Sequence, residues 1–225
     1  MITQIKQARI QLALHTLQTG VGTPLLLLHE LGGSAADWKL TQLAYTGPVC
    51  ALDLSGHGHS GRVRGGGYLA ERWAADADAA LRELGDDVWL IGAGVSAYVC
   101  LLLAAARPKS VRGSVLLPGR GLVDGGPEPD FEQHPQPLAA TIESNSLRQD
   151  AATDPAVCFS ESVARAPDCA REFAEAASTL VLCEDGTPRP PWWRALQGLP
   201  NVHTHQGTHL ASALNTMRAP MQRSA

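Results

Sequence analysis

The sequence predicts an α/β protein whose mostly parallel sheet is covered by helices on both faces. Short continuous apolar runs, which are typical of strands buried on both faces, alternate with longer amphipathic segments. A length of 225 residues suits one domain with an insertion. The predicted parallel strands are 24–28, 48–53, 88–92, 111–117, 179–183 and 201–205.

The helices fall between these strands, as a parallel sheet requires. Before them, the first twenty residues alternate apolar and polar positions, which predicts a hairpin of two strands. Helices are expected over 32–43, with Ser34 as the N-cap, and over 65–85, with a glycine stop. Later helices are expected over 95–107, 190–198 and 208–217.

Residues 120–175 interrupt the alternation of strands and helices. The segment is rich in proline and contains Gly125-Gly126 and only weakly amphipathic stretches. We therefore predict a core formed by 1–123 and 176–225, with a small cap insertion over 124–175.

Composition limits the classes of partner. The net charge of −4 provides no basic field for nucleic acid or for a membrane surface. The longest apolar run, 97–106, is too short to span a bilayer, and the N-terminus lacks a signal-peptide pattern, so a soluble cytoplasmic protein is expected. The five cysteines form no C-x-x-C pair, and the glycine-rich 61–67 lacks a phosphate-loop lysine. We therefore expect neither a metal nor a cofactor. The expected partner is a small-molecule substrate or ligand, and the sequence does not indicate the oligomeric state.

Four motifs occur in a fixed order along the chain. They are "LLLLHELGGSAADW" (25–38), "ALDLSGHGHS" (51–60), "LIGAGVSAYVCLLLAAARP" (90–108) and "QGTHLASAL" (206–214). In this order they resemble the oxyanion loop, the D-x-x-G-H-G-x-S turn, the nucleophile elbow and the histidine loop of the α/β-hydrolase superfamily. The resemblance covers nearly the whole chain and implies that fold, which hosts many chemistries.

The elbow departs from the family pattern at the nucleophile. Two alignments are open, one with Gly94 and one with Ser96 at the nucleophile position. Pro108 follows Gly94 by the spacing that the family shows after its serine, and glycine tolerates the strained backbone of the turn. We therefore place Gly94 at the elbow, with positive φ, and Ser96 in the following helix.

The resemblance also implies the other parts of the site. His209 corresponds to the catalytic histidine, and the backbone amides of Leu31 and Val95 to the oxyanion-hole donors. The usual acid aligns with Gly186, so Asp185 and Asp124 are the alternatives.

Glu30 stands where the family normally has glycine. It either turns to solvent or points into the space left by the missing serine, and we favour the second interpretation. His29, Ser34 and Ser96 are expected to line the pocket.

Three functions are compatible with these residues. The first is an enzyme acting on a small carbonyl compound by general acid–base catalysis with Glu30 and His209, through ester, lactone or C–C bond hydrolysis or related lyase chemistry. If both side chains enter one cavity, a direct hydrogen bond or one bridging water should join them. The second is a catalytically silent protein that binds a small molecule or a partner. The third is a serine hydrolase using Ser96, or Ser34 after rearrangement.

Overall fold

The computed structural model describes residues 1–122, 153–163 and 165–222. Its strands are β1 (Ile2–Gln7), β2 (Ile10–Gln18), β3 (Leu25–Leu28), β4 (Val49–Leu52), β5 (Val88–Ala93), β6 (Val111–Leu117), β7 (Thr179–Glu184) and β8 (Val202–Gln206). Its α-helices are α1 (Ala70–Leu84), α2 (Val95–Ala106), α3 (Pro167–Ala176), α4 (Pro191–Leu196) and α5 (Leu210–Gln222). No helix of the described ranges is long and apolar enough to cross a bilayer.

The strands form one sheet in the order β1-β2-β4-β3-β5-β6-β7-β8. The two pairings that involve β2 are antiparallel, and every other pairing is parallel. The predicted N-terminal hairpin and mostly parallel sheet are therefore confirmed. The six predicted strands agree with the structure to within one residue at each end.

Both faces of the sheet are buried, because successive side chains of a strand point to opposite faces. In β3, Leu26 and Leu28 contribute to a core that α1, α2, α3 and α4 cover. Leu25 and Leu27 of the same strand contribute to a second core, which α5 covers. Because β3, β4 and β5 are parallel neighbours, their carboxyl ends and the loops that follow them lie at one edge of the sheet.

The helix predicted over 32–43 is wrong. The segment contains two short 3₁₀ turns instead, Ala35–Asp37 and Leu40–Gln42. Ser34 does cap the first turn, and the Asp37 carboxylate accepts the backbone N–H of Ser34 at 2.7 Å. Such local bonds from side chains compete with the continuation of a helix. The helix predicted from residue 65 begins only at Ala70, since Gly65, Gly66 and Gly67 all have positive φ.

The boundary of the cap at 124–175 stays a prediction, and the structure describes one α-helix in that part of the chain. Helix α3, which was assigned to the cap, packs against α2 and α4, and its Ala170 and Ala174 are buried in the core. It belongs to the same helical layer as its neighbours. Most of the remaining predicted cap, including Asp124, lies outside the described residues.

Candidate active site

Gly94 forms the sharp turn between β5 and α2. Its backbone angles are φ 58° and ψ −124°, and it is the N-cap residue of α2. The predicted position and positive φ of Gly94 are therefore present. A Cβ atom at this position would lie only 2.0 Å from the carbonyl oxygen of Arg120. The turn has no room for a side chain while Arg120 stays in place.

The carbonyl oxygen of Arg120 lies between two backbone amides. The N–H of Val95 donates to it at 2.9 Å, and the N–H of Leu31 donates to it at 3.3 Å. These are the two amides that the sequence resemblance implies as oxyanion-hole donors. Val95 is also the first residue of α2, where the helix dipole favours negative charge. The two donors thus converge on one carbonyl group of the chain itself.

The carboxylate of Glu30 binds the same residue. Its Oε2 accepts the backbone N–H of Arg120 at 2.8 Å. A Cβ atom on Gly119 would lie 2.6 Å from this oxygen and 2.9 Å from the backbone nitrogen of Gly94. Glu30 therefore turns toward the elbow, where the chain that follows β6 meets the two amides.

The close approach of this segment depends on a glycine that sequence reasoning missed. Gly121 has φ 77°, and a Cβ there would lie 2.9 Å from the Cβ of Val95 and 3.0 Å from that of Leu31. The available signal was the pair of glycines on either side of Arg120, directly after β6. Such glycines mark a turn or a close backbone contact.

His29 and His57 are buried parts of the scaffold. His29 Nε2 accepts the N–H of Leu54 at 3.1 Å, so its proton is on Nδ1, 2.8 Å from the carbonyl oxygen of Glu30. His57 Nε2 accepts the N–H of Gly32 at 3.2 Å. Burial lowers the pKa of His29, and burial together with the nearby His29 lowers the pKa of His57 to about 3. Both rings are neutral at pH 7, and their hydrogen bonds stabilise the conformation of the loop that follows β3.

The two predicted pocket serines both make hydrogen bonds to the backbone. Ser96 lies in the first turn of α2, is fully buried, and donates its hydroxyl to the carbonyl oxygen of His29 at 2.5 Å. The Oγ of Ser34 accepts the N–H of Ala36 in the 3₁₀ cap. His29 and Ser96 are both buried and hydrogen-bonded, and the pocket role expected for His29, Ser34 and Ser96 stays a prediction.

His209 is exposed and precedes α5. Across the described ranges, no hydrogen bond or ion pair joins its side chain directly to Glu30, and a contact through one bridging water stays a prediction. Its catalytic role stays a prediction.

Asp185 is engaged within its own loop. Its Oδ1 accepts from the hydroxyl and the backbone N–H of Thr187 and from the guanidinium of Arg189. The bonds from Thr187 and then Arg189 lower the pKa of Asp185 to about 2. This carboxylate caps a turn. The alternative acid, Asp124, lies outside the described residues.

A cavity of about 250 Å³ lies between the starts of α1 and α2 and helix α3. Its walls include Tyr98 and Phe173, and the guanidinium of Arg165 lies 5.2 Å from the centre of the Tyr98 ring. None of the residues predicted for the site lines it. The cavity is therefore separate from the group formed by Glu30, Leu31 and Val95.

Comparisons with known proteins agree with this architecture. A putative carbamate hydrolase, RutD of Azorhizobium caulinodans, is 32% identical over 125 residues, which cover 54% of this chain and 47% of that protein. The esterase Rv0045c of Mycobacterium tuberculosis is 30% identical over 107 residues, 47% of this chain and 36% of the esterase. These matches span less than half the length of either relative.

Solved structures share the fold over the whole chain. Est816, described as an N-acyl homoserine lactone degrading enzyme, superposes with a TM-score of 0.66 at 17% identity, covering 99% of this chain and 98% of that one. The model of the alpha/beta hydrolase family matches residues 25–221. The chain therefore belongs to the alpha/beta hydrolase family, which confirms the resemblance inferred from its four motifs.

Proposed function

We propose that this protein is an enzyme that acts on a small carbonyl compound without a serine nucleophile. One observation carries the proposal: the amides of Leu31 and Val95 and the carboxylate of Glu30 all bind one residue, Arg120. A carbonyl oxygen thus occupies the position between two amides, with a carboxylate next to it. This arrangement suits a carbonyl substrate whose oxygen gains negative charge during the reaction.

The substrate carbonyl would take the place of the Arg120 carbonyl. The substrate would replace the two hydrogen bonds that the amides of Leu31 and Val95 make, while the release of Arg120 would also break its bond to Glu30 and free that carboxylate. The relatives support a substrate of this class, since their descriptions name a carbamate hydrolase, an esterase and an enzyme that degrades a lactone. Esters, lactones and carbamates all present such a carbonyl oxygen.

Glu30 is the proposed general base. Its carboxylate would take a proton from a water molecule as that water attacks the substrate carbonyl, while the two amides stabilise the oxyanion. A positioned base contributes typically about 10²–10⁴-fold in rate, and one oxyanion donor about 10²–10³-fold. His209 is the proposed group that protonates the leaving group. The same carboxylate would also suit proton abstraction beside a carbonyl, as lyase chemistry requires.

A substrate screen with a serine probe tests this proposal. The full chain is treated with a fluorophosphonate and then assayed against small esters, lactones, carbamates and β-dicarbonyl compounds. The hydroxyl of Ser96 is buried and hydrogen-bonded to the carbonyl oxygen of His29. We therefore expect that the fluorophosphonate labels no serine and that turnover persists after the protein is treated with it. Turnover lost together with labelling of Ser96 or Ser34 would instead establish the serine-hydrolase alternative. His209→Ala should remove most of the turnover if that residue is the acid.

A second function is favoured by the same close contact at the elbow. The Arg120 carbonyl fills both the amide pair and the space of a Gly94 side chain, which suits a silent protein that binds a small molecule or a partner. If no compound of the panel is turned over, and one of them still protects the chain against unfolding, this function replaces the first. The cytoplasmic location expected from the sequence stays a prediction.

A further inference from the structure

Three polar side chains outside the proposed active site converge at the antiparallel side of the sheet. His15 lies in β2, Asp53 directly follows β4, and His59 lies in the turn after Asp53. His15 pairs with Ala51 across the two strands. Residues two apart in a strand share a face, so this register brings the ring of His15 beside Asp53. The fold thus assembles a group that no contiguous motif contains.

The polar atoms of this group are close enough together to bind one metal ion after small side-chain movements. His15 Nε2 lies 2.8 Å from Asp53 Oδ2, and His59 Nδ1 lies 3.4 Å from the same oxygen. One ligating atom from each residue lies within 4.8 Å of the other two. Ligands bound to Zn²⁺ at about 2.0–2.2 Å with tetrahedral angles are about 3.3–3.6 Å apart. The His15–Asp53 pair would therefore widen by about 0.5–0.8 Å, and a pair as far apart as 4.8 Å would close by up to about 1.5 Å, to complete such a site.

Asp53 is held in the orientation that a ligand needs. Its side chain is 1% exposed, and its oxygens accept the backbone N–H groups of Ala35 at 2.7 Å and of His59 at 2.8 Å. Burial alone would raise its pKa, but these amides and His15 bring the pKa of Asp53 below its ordinary value. Carboxylates that bind metals are commonly oriented by such hydrogen bonds.

The group is also open to solvent on one side. The side chain of His59 is 52% exposed and that of His15 is 15% exposed, so an ion can enter and water can supply the remaining ligand. Two imidazoles and one carboxylate favour Zn²⁺ over Mg²⁺ or Ca²⁺, which prefer oxygen ligands. We propose that His15, Asp53 and His59 bind one Zn²⁺ ion. The expectation of no metal rested on the cysteines and did not consider this group, in which His15 joins two residues of the motif at 51–60.

Zinc titration of the full chain tests the site. The protein is stripped with a chelator, dialysed, and titrated with zinc chloride in a calorimeter, and Co²⁺ is then added to follow the visible absorption of a tetrahedral centre. We expect the wild type to bind one ion per chain and its Tm to rise with the zinc concentration. His59→Ala removes an exposed ligand and should abolish both the binding and the Tm rise.

His203→Ala is the matched control, because this histidine lies in β8 at the opposite edge of the sheet. It should bind zinc as the wild type does. A wild type that binds no zinc, or His59→Ala that binds zinc as tightly as the wild type, would overturn the proposal. His15→Ala is a second test of the site, but the protein could fail to fold without this partly buried ring. His59→Ala then still tests zinc binding, because the side chain of His59 is the most exposed of the three and its removal should leave the fold intact.

Discussion

Replacing Gly94 with alanine should destabilise the protein far more than its backbone angles alone would require. The new Cβ would lie 2.0 Å from the Arg120 carbonyl oxygen, so residues 119–121 would have to move away. That movement breaks the bonds from Leu31 and Val95 to Arg120 and the bond from Arg120 to Glu30. At about 0.5–1.5 kcal/mol for each hydrogen bond, the loss is about 1.5–4.5 kcal/mol. The strain of a positive φ adds about 1–3 kcal/mol.

Gly198→Ala separates these two contributions. Gly198 also has a positive φ, of 83°, but a Cβ there would meet nothing within 4 Å. The free energy of unfolding of Gly198→Ala should therefore fall only by the strain of the positive φ. The assay is urea unfolding of both variants and the wild type, with the free energy of unfolding taken from the midpoint and slope. Equal losses of stability in the two variants would refute the reasoning, because they would mean that Arg120 does not block the elbow.

Four further predictions follow from the same contacts. Gly94→Ser should restore little esterase activity, because in the described part of the chain no carboxylate orients His209; a burst of product with a chromogenic ester would contradict this. Ser96→Ala leaves the buried carbonyl of His29 without its donor and should cost about 1–3 kcal/mol in the free energy of unfolding, measured in urea. Burial and the nearby His29 lower the pKa of His57 to about 3 from its ordinary value of 6.5, so the unfolded state binds more protons between these pH values. The contribution of His57 to stability is therefore complete above pH 6.5 and falls by about 2 kcal/mol by about pH 5; His57→Gln should lose about that much less than the wild type over this range, since His29 acts in both proteins. Asp185→Asn should leave any turnover within about twofold of wild type, whereas a triad acid would lose about 10⁴-fold.

The fold was predictable because its strands carry a strong local signal. A parallel strand buried on both faces needs an unbroken apolar run, and Leu25–Leu28 and Val49–Leu52 provide one. Helix starts were less predictable. The polar side chains of Ser34 and Asp37 bind nearby backbone groups and end the turn early, which apolar periodicity does not reveal.

Only those parts of the candidate site that depend on residue identity could be predicted from the sequence. The sequence led us to predict that Gly94 stands at the nucleophile position and that Glu30 departs from its motif. It did not indicate that the backbone of Arg120 occupies the amide pair, because a main-chain carbonyl leaves no trace in residue identity. Gly119 and Gly121 were the only local sign, and their meaning depends on how the chain after β6 packs against the elbow.

The pairing of Glu30 with His209 depends on a contact between distant loops. Each residue was identified from its own motif, and neither motif contains information about the distance between them. In the described structure the carboxylate of Glu30 accepts a hydrogen bond from the backbone N–H of Arg120, whereas the side chain of His209 is exposed. A catalytic pair would therefore require the release of Arg120 by the incoming substrate.

The most direct test of the proposed function compares kcat/KM of the wild type with that of Glu30→Gln on the best substrate from the screen. Glutamine keeps an oxygen that can accept the N–H of Arg120 but cannot act as a base near neutral pH, so the fold should be retained. Glu83→Gln, on the exposed face of α1, is the matched control. The account predicts that Glu30→Gln lowers kcat/KM by about 10²–10⁴-fold while Glu83→Gln leaves it unchanged. An unchanged kcat/KM in Glu30→Gln would contradict it.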